Sequence, residues 1–266
     1  MQLAYSAIGV GPTLVQTGPW LTHLEFSLEN TALRHIYADL AREHTLFRYD
    51  SRGTGLSDWD VEELSLDGWV RDLAAVADAA NLERFPLFGF SQGCAIAAVY
   101  AAQHPERVSR LVLYGGYAQG INHRPTTKEQ KQAYTAMLTL TRLGWGQNDP
   151  TFRQLWTSQF MPEATKEQMD AFNELQRMGT SPKNAERYMR ANAEIDVTRI
   201  LEQIKAPTLV LHAQEDVRIP FHLGRALAAN IPSARLVPLP GRNHIPLPGE
   251  PAFKRLIQEI NIFLQT

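Results

Sequence analysis

A serine stands between two glycines in Gly89-Phe90-Ser91-Gln92-Gly93, and the residues on either side give that spacing its meaning. Before it runs Phe85-Pro-Leu-Phe88, an apolar stretch of strand character, and after it comes the alanine-rich, helical stretch from Cys94 onward. A strand that passes through one sharp turn into a helix holds the serine in a strained backbone conformation and lifts its hydroxyl above the carboxyl edge of a sheet. Side chains at positions 89 and 93 would collide with the neighbouring strand and helix, and glycine removes that clash. The helix start adds free N–H groups and the positive end of a dipole. The chemistry on offer is nucleophilic attack on an acyl carbon, with Ser91 as the nucleophile.

A serine hydroxyl is a weak nucleophile at neutral pH. It needs a histidine to take its proton and a carboxylate to orient that histidine. With this kind of turn the chain order is serine, acid, histidine. The strand-like run Pro207-Thr-Leu-Val-Leu-His212 leads into Ala-Gln-Glu215-Asp216, and Ala234-Arg-Leu-Val-Pro238 leads into Leu-Pro-Gly241-Arg-Asn-His244. Both loops leave the carboxyl ends of strands, the edge on which Ser91 sits. Of the eight histidines, only His244 follows the acid and lies between the last strand and the last helix. His35, His44 and His104 read as solvated, His212 lies inside a strand, His222 opens a helix and His123 begins the insertion described below. Asp216 is preferred to Glu215 as the acid, because a one-residue offset turns the side chain away and Asp is the shorter, stiffer orienter.

The oxyanion of a tetrahedral intermediate needs two preorganised donors, one of them the N–H after the nucleophile, here Gln92. The second must come from the loop Thr17-Gly18-Pro19-Trp20, where no histidine precedes the glycine and Pro19 has no N–H. Trp20 is the candidate, its indole walling the acyl pocket. The competing reading makes Trp20 an aromatic lid or core residue. His23 and Glu25 are candidates to brace this loop, or plain surface residues.

The elements that position these residues alternate, strand after helix, as in a parallel sheet with crossover helices. Strands are expected at Thr13–Thr17, Thr45–Tyr49, Phe85–Phe88, Val108–Tyr114, Pro207–His212 and Ala234–Pro238. Trp69, Val70, Leu73, Val76, Ala77 and Ala80 recur at helical steps and lay one apolar stripe against the sheet. Further helices are expected around Asn30–Arg42, Gln92–Gln103, Phe221–Asn230 and Pro251–Leu264. From about Ala118 to Ile204 no strand run occurs and helical periodicity dominates. The expected organisation is an α/β core of residues 1–117 and 205–266 carrying a helical cap, 118–204. That cap is rich in aromatic residues and methionine, which pack helices together and line adaptable apolar sites. Trp145, Trp156 and Phe160 join Trp20 as candidate substrate-binding residues. No pair of cap arginines stands out as a carboxylate clamp, and Arg124, Arg142 and Arg177 are left open.

A net charge of −2 offers no footprint for a polyanion, so no nucleic acid is expected as a partner. Cys94 is the only cysteine, which excludes an internal disulfide, a Cys-rich zinc site and a CxxC pair. It reads as a small buried residue. No signal peptide and no apolar run of the roughly 20 residues that span a bilayer is visible, so no membrane partner and a cytoplasmic location are expected. A homodimer is left open. The reaction described needs no cofactor and no metal.

These motifs, taken in order with Arg48-Tyr-Asp50-Ser-Arg52-Gly-Thr-Gly55, Leu113-Tyr-Gly-Gly116 and Asn243-His244, resemble the α/β-hydrolase superfamily over nearly the whole chain. More narrowly, the chain looks like the hydrolase domains fused to LuxR-type DNA-binding or nucleotidyl-cyclase domains in bacterial regulators. The few residues after Phe263 leave no room for such an output domain, which implies a free-standing module. In such folds the Asp50–Gly55 stretch is a structural turn. The resemblance implies an α/β-hydrolase fold and a serine esterase acting on a small-molecule hydrophobic ester or thioester. Perhydrolysis and C–C bond hydrolysis use the same triad, whereas dehalogenases and epoxide hydrolases carry an aspartate in the elbow. The alternative from another class is a ligand-binding sensor with slow or no turnover.

Overall fold

In the computed structural model, which describes residues 1–147 and 149–265, seven strands form one sheet. They are β1 (Tyr5–Ile8), β2 (Thr13–Thr17), β3 (Thr45–Tyr49), β4 (Phe85–Phe90), β5 (Val108–Tyr114), β6 (Thr208–Ala213) and β7 (Ala234–Leu239). The order across the sheet is β1-β3-β2-β4-β5-β6-β7, and every neighbouring pair is parallel except β1 with β3. The six strands expected from the sequence are present, with small shifts at their ends. The run at Phe85 continues through Phe90, because its register with β5 extends to Phe90 opposite Tyr114. β1 is the addition. Its four residues alternate between exposed and half-buried on an edge of the sheet, so it lacks the continuous apolar run that marks a strand buried on both faces.

Helices surround the sheet or stand in the insertion: α1 (Phe26–Glu29), α2 (Arg34–Glu43), α3 (Leu66–Ala79), α4 (Gly93–Gln103), α5 (Lys128–Gly144), α6 (Pro150–Phe160), α7 (Lys166–Gly179), α8 (Pro182–Ala193), α9 (Phe221–Ala229) and α10 (Pro251–Gln265). α3 starts where Ser65 Oγ accepts the N–H of Gly68, and it buries Trp69, Val70, Leu73, Val76 and Ala77 along the stripe seen in the sequence. α4 is apolar all round and buried from Gly93 to Ala101, as a helix in the middle of the molecule must be.

Because β3 lies on one side of β2 and β4 on the other, the direction of winding reverses between β2 and β4. A crevice opens outside the carboxyl ends of strands at such a switch point. The β2 loop with Trp20 and the β4 turn with Ser91 flank it.

Between β5 and β6 stand α5 to α8 and one 3-10 helix, with no strand of the sheet among the described residues. The two ends of this segment meet in one isolated antiparallel bridge, Gln119 opposite Asp196. Trp145, Trp156, Phe160, Phe172 and Tyr188 are buried and continuous with the core of the sheet. Tyr188 Oη donates to the carbonyl of Arg52 at 2.6 Å, Thr180 Oγ1 to that of Gly53 at 2.6 Å, and Asn184 Nδ2 to that of Trp59 at 2.8 Å. The insertion is thus tied to the 50–60 turn. That turn is structural, as expected: Asp50 Oδ2 accepts the N–H groups of Leu24 at 3.1 Å and Leu56 at 2.9 Å, while buried Arg52 pairs with Asp72 at 2.7 Å. Gly53 and Gly55 take positive φ there.

Candidate active site

Ser91 adopts φ 55°, one of two positive-φ residues other than glycine among the described residues. A strained conformation of this kind persists only where its surroundings enforce it. Here the Ser91 N–H is tied to the carbonyl of Tyr114 at 2.8 Å, and the chain turns straight from β4 into α4. The flanking glycines are needed for close approach. A Cβ on Gly89 would lie 2.8 Å from Cys94 Cα, and one on Gly93 would lie 2.5 Å from Thr17 Oγ1 and 2.9 Å from the Gly18 carbonyl oxygen. The end of β2 is therefore packed onto the turn, and Thr17 Oγ1 donates to the Gly93 carbonyl at 2.9 Å to hold it there.

His244 Nε2 lies 2.9 Å from Ser91 Oγ, and His244 Nδ1 lies 2.7 Å from Asp216 Oδ2. A carboxylate can only accept, so Nδ1 carries the proton and Nε2 offers its lone pair to the serine hydroxyl. The other oxygen, Asp216 Oδ1, accepts the N–H groups of Arg218 and Ile219, each at 2.8 Å. Burial alone would raise the Asp216 pKa, but the His244 imidazole beside it, the Ile219 N–H and the nearby His212 outweigh burial and hold the carboxyl below its usual range. Glu215, the alternative acid, is exposed.

Several further groups hold His244 in place, and the Phe160 carbonyl and His212 among them carry no signal of that role in the sequence. The His244 N–H donates to the Phe160 carbonyl at 2.8 Å, so the insertion itself holds the histidine loop. Tyr114 Oη donates to the His244 carbonyl at 2.9 Å. Gly115, at φ 64°, faces the ring, where a Cβ would come within 2.9 Å of His244 Cε1. A second imidazole stands behind the acid: His212 Nε2 donates to the Ile219 carbonyl at 2.7 Å and lies 3.6 Å from Asp216 Oδ2.

Among the described residues, neither the Gln92 N–H nor the Trp20 N–H is used in a hydrogen bond within the protein. His23, buried rather than on the surface, accepts the Phe26 N–H on Nδ1 at 3.2 Å at the start of α1, whereas Glu25 is exposed. His44, expected to be solvated, is buried with Nε2 3.2 Å from Asn261 Oδ1, because α10 packs across α2. Cys94 is buried and its thiol is pushed up by burial, with Sγ 3.2 Å from the Gly89 carbonyl.

The space above Ser91 is a cavity of about 20 Å³, room for about one water, lined by Trp20, Leu33, Phe90, Phe160, Phe172 and Ile245 with Ser91 and His244. It is apolar, as expected, but small, because aromatic rings fill the space. Trp20 stacks on Trp156 at 5.2 Å and lies parallel to Phe160 at 6.4 Å, while Phe160 stands 5.9 Å from the His244 ring. Of the four candidate substrate-binding residues, Trp20 and Phe160 line this cavity. Trp156 is the layer behind them, and Trp145 is a structural anchor whose Nε1 donates to the Thr180 carbonyl at 3.0 Å. No group of three or more His, Cys, Asp or Glu placed to hold a metal ion occurs among the described residues.

A mostly parallel sheet with a strained serine at its switch-point crevice, and a histidine and an aspartate delivered by the ends of later strands, defines the class: an α/β-hydrolase. The chain belongs to the α/β-hydrolase superfamily. It is 30% identical over 207 residues to the AB hydrolase superfamily protein YisY of Bacillus subtilis (strain 168), which covers 73% of this chain and 72% of YisY. The model of the alpha/beta hydrolase fold matches residues 31–162. Pyrrolizixenacetamide deacetylase of Xenorhabdus hominickii is 26% identical, over 90% of this chain and 86% of that protein. The fold is shared with the esterase EaEST from Exiguobacterium antarcticum, at TM-score 0.82 and 22% identity, covering 99% of this chain and 96% of that one.

Proposed function

We propose that this protein is a serine hydrolase that cleaves a carboxylic ester or thioester with a hydrophobic acyl or aromatic part. The observation that carries the reading is the Ser91 Oγ to His244 Nε2 contact of 2.9 Å, made while Nδ1 is committed to Asp216. Ser91 Oγ bonds to the acyl carbon as its proton passes to Nε2, and the carbonyl oxygen becomes an oxyanion held by the N–H groups of Gln92 and Trp20. The intermediate collapses, the bond to the leaving alcohol or thiol breaks, and Nε2 returns the proton to it. Water then attacks the acyl-enzyme, gives a proton to Nε2, and the acid departs as Ser91 regains its hydrogen. Asp216 supports the imidazolium throughout. Residues 118–204 act as a cap that closes the apolar side of the site. A deacetylase and an esterase among the similar proteins support acyl cleavage by water. The single cysteine suits a cytoplasmic protein, and no helix among the described residues is long and apolar enough to cross a membrane.

Labelling with a fluorophosphonate probe tests the nucleophile: the wild type labels and Ser91→Ala does not. A wild type that stays unlabelled favours a binding module, and a mutant that labels equally overturns Ser91 as the nucleophile. A series of p-nitrophenyl esters tests the acyl site. A rise in kcat/KM from acetate to longer chains shows that the rings yield, and a sole preference for acetate contradicts a hydrophobic acyl part.

A further inference from the structure

Two arginines on the inner side of the insertion have no carboxylate partner among the described residues. Arg124 follows the bridge where the insertion begins, and Arg218 lies in the loop of the acid. Arg177, by contrast, pairs with Glu174, and Arg142 is exposed. Arg124 and Arg218 line one cavity of about 90 Å³ with Tyr117, Tyr134, Asn192 and Ile219. The same two arginines line a wider opening of about 400 Å³ toward solvent. Each is half-buried. Arg218 donates only to a neutral side chain, Gln159 Oε1 at 2.8 Å, and its guanidinium lies over the rings of Phe160 at 5.1 Å and Trp156 at 5.4 Å. The Arg124 guanidinium makes no hydrogen bond or ion pair among the described residues. The carboxylates nearby are committed elsewhere: Asp216 to His244, and Glu194 to Asn122 and His123.

Two guanidiniums drawn partly out of water without an acid are unfavourable until an anion meets them. Burial pushes both below their usual range, and the charge of Arg124 adds to that effect on Arg218. The walls of the cavity stand one residue removed from the proposed catalytic groups. Phe160 separates the Arg218 guanidinium from the His244 ring, Ile219 supplies both cavity wall and an N–H to Asp216, and Asn192 Nδ2 donates to Gln92 Oε1 at 2.8 Å. Arginine suits this role because its planar donors match a carboxylate in pairs.

We infer that this cavity is the polar half of the substrate site, where Arg124 and Arg218 bind a carboxylate that the substrate carries beyond the bond cleaved at Ser91. The inference rests on the serine-hydrolase reading and narrows it to carboxylate-bearing esters: half-esters of dicarboxylic acids, or esters of a carboxylated alcohol or phenol. Sequence reasoning left Arg124 open and did not connect it with Arg218, because the two meet only across the insertion.

The test compares ester pairs that differ by one carboxylate: p-nitrophenyl hemiglutarate against p-nitrophenyl valerate, and 4-butyryloxybenzoate against phenyl butyrate. In at least one pair the wild type should favour the acid by about tenfold or more in kcat/KM, the size of one charge-assisted contact. Arg218→Gln and Arg124→Gln should each reduce that ratio, mainly through KM, with folding verified by circular dichroism. Arg124 is the safer site should Arg218→Gln fold poorly. In parallel, glutarate should raise the Tm of Ser91→Ala and should do so less when Arg124→Gln is added, while inorganic phosphate should have little effect. Turnover without preference in either pair, or ratios unchanged in both variants, overturns the inference and leaves the serine assignment standing. An equal response to phosphate marks a simple anion site and also overturns it. Absence of all turnover, with glutarate binding that still depends on Arg124, overturns the serine reading alone.

Discussion

Replacing Asp216 by Asn tests the orientation of the base with almost no change of shape. Asp216 Oδ1 accepts two backbone N–H groups, from Arg218 and Ile219, each at 2.8 Å. The amide oxygen of Asn must take that position, because an NH2 group there would face two donors. The amide nitrogen then faces His244 Nδ1 at the place now occupied by Oδ2, 2.7 Å away, and it can only donate. His244 is forced into the opposite tautomer, with its proton on Nε2 pointing at Ser91 Oγ, and it cannot accept the hydroxyl proton. The expected loss is about 10⁴-fold in kcat, roughly 5 kcal/mol of barrier. The assay is hydrolysis of p-nitrophenyl butyrate together with the rate of fluorophosphonate labelling, on protein whose circular dichroism matches the wild type. A folded Asp216→Asn enzyme within about tenfold of the wild type would refute the argument. Stability adds a second readout. The folded state holds the Asp216 pKa below its unfolded value, so its contribution is present above about pH 4 and is lost as pH falls through the lowered folded value. The stability gap between wild type and Asp216→Asn should be widest near neutral pH and should narrow in acid.

Asp72→Asn leaves buried Arg52 with only Glu63, 3.4 Å away and half out in solvent, and should cost roughly 3 kcal/mol in urea unfolding. A loss under about 0.5 kcal/mol, as for an exposed pair, would show that this bridge does not support the turn. Gly93→Ala places a methyl 2.5 Å from Thr17 Oγ1 and should cost about 1–3 kcal/mol, slowing labelling of Ser91 as the Trp20 loop shifts. Normal labelling would count against that loop as part of the oxyanion site. Trp156→Ala removes a fully buried ring and should cost about 3–5 kcal/mol in thermal unfolding, while extending activity to longer acyl chains by opening space behind Trp20. The Cys94 thiol should resist iodoacetamide in native protein and react once it is denatured, because burial keeps it protonated. Fast native alkylation would contradict its placement.

Much of the fold was legible because the parallel strands are buried on both faces and read as apolar runs, and because helix α3 carries its stripe at helical steps. β1 was not legible, since a short edge strand pairs through its backbone and carries little apolar signal. The insertion was recognisable as helical. Its rings could not be sorted in advance: Trp145, Trp156 and Phe160 are alike in the sequence, and only packing makes one a wall of the cavity and the others its support. The burial of His44 was equally hidden, because α2 alone does not show that α10 will lie across it.

By itself the sequence determined the elbow at Ser91, because the two glycines, the strand before and the helix after it act within one local segment. It also singled out Asp216 and His244, because strand ends in a parallel sheet all deliver their loops to one edge. The tertiary structure decided what lies between them. The tautomer of His244 depends on its contact with the Asp216 carboxylate, which two backbone N–H groups hold in place, its loop is held by the carbonyl of Phe160 from the insertion, and the volume above Ser91 is set by how three aromatic rings stack. Arg124 and Arg218 are far apart in sequence and meet across a cavity. Contacts of this kind depend on which surfaces the chain brings together, and no local pattern of residues encodes that.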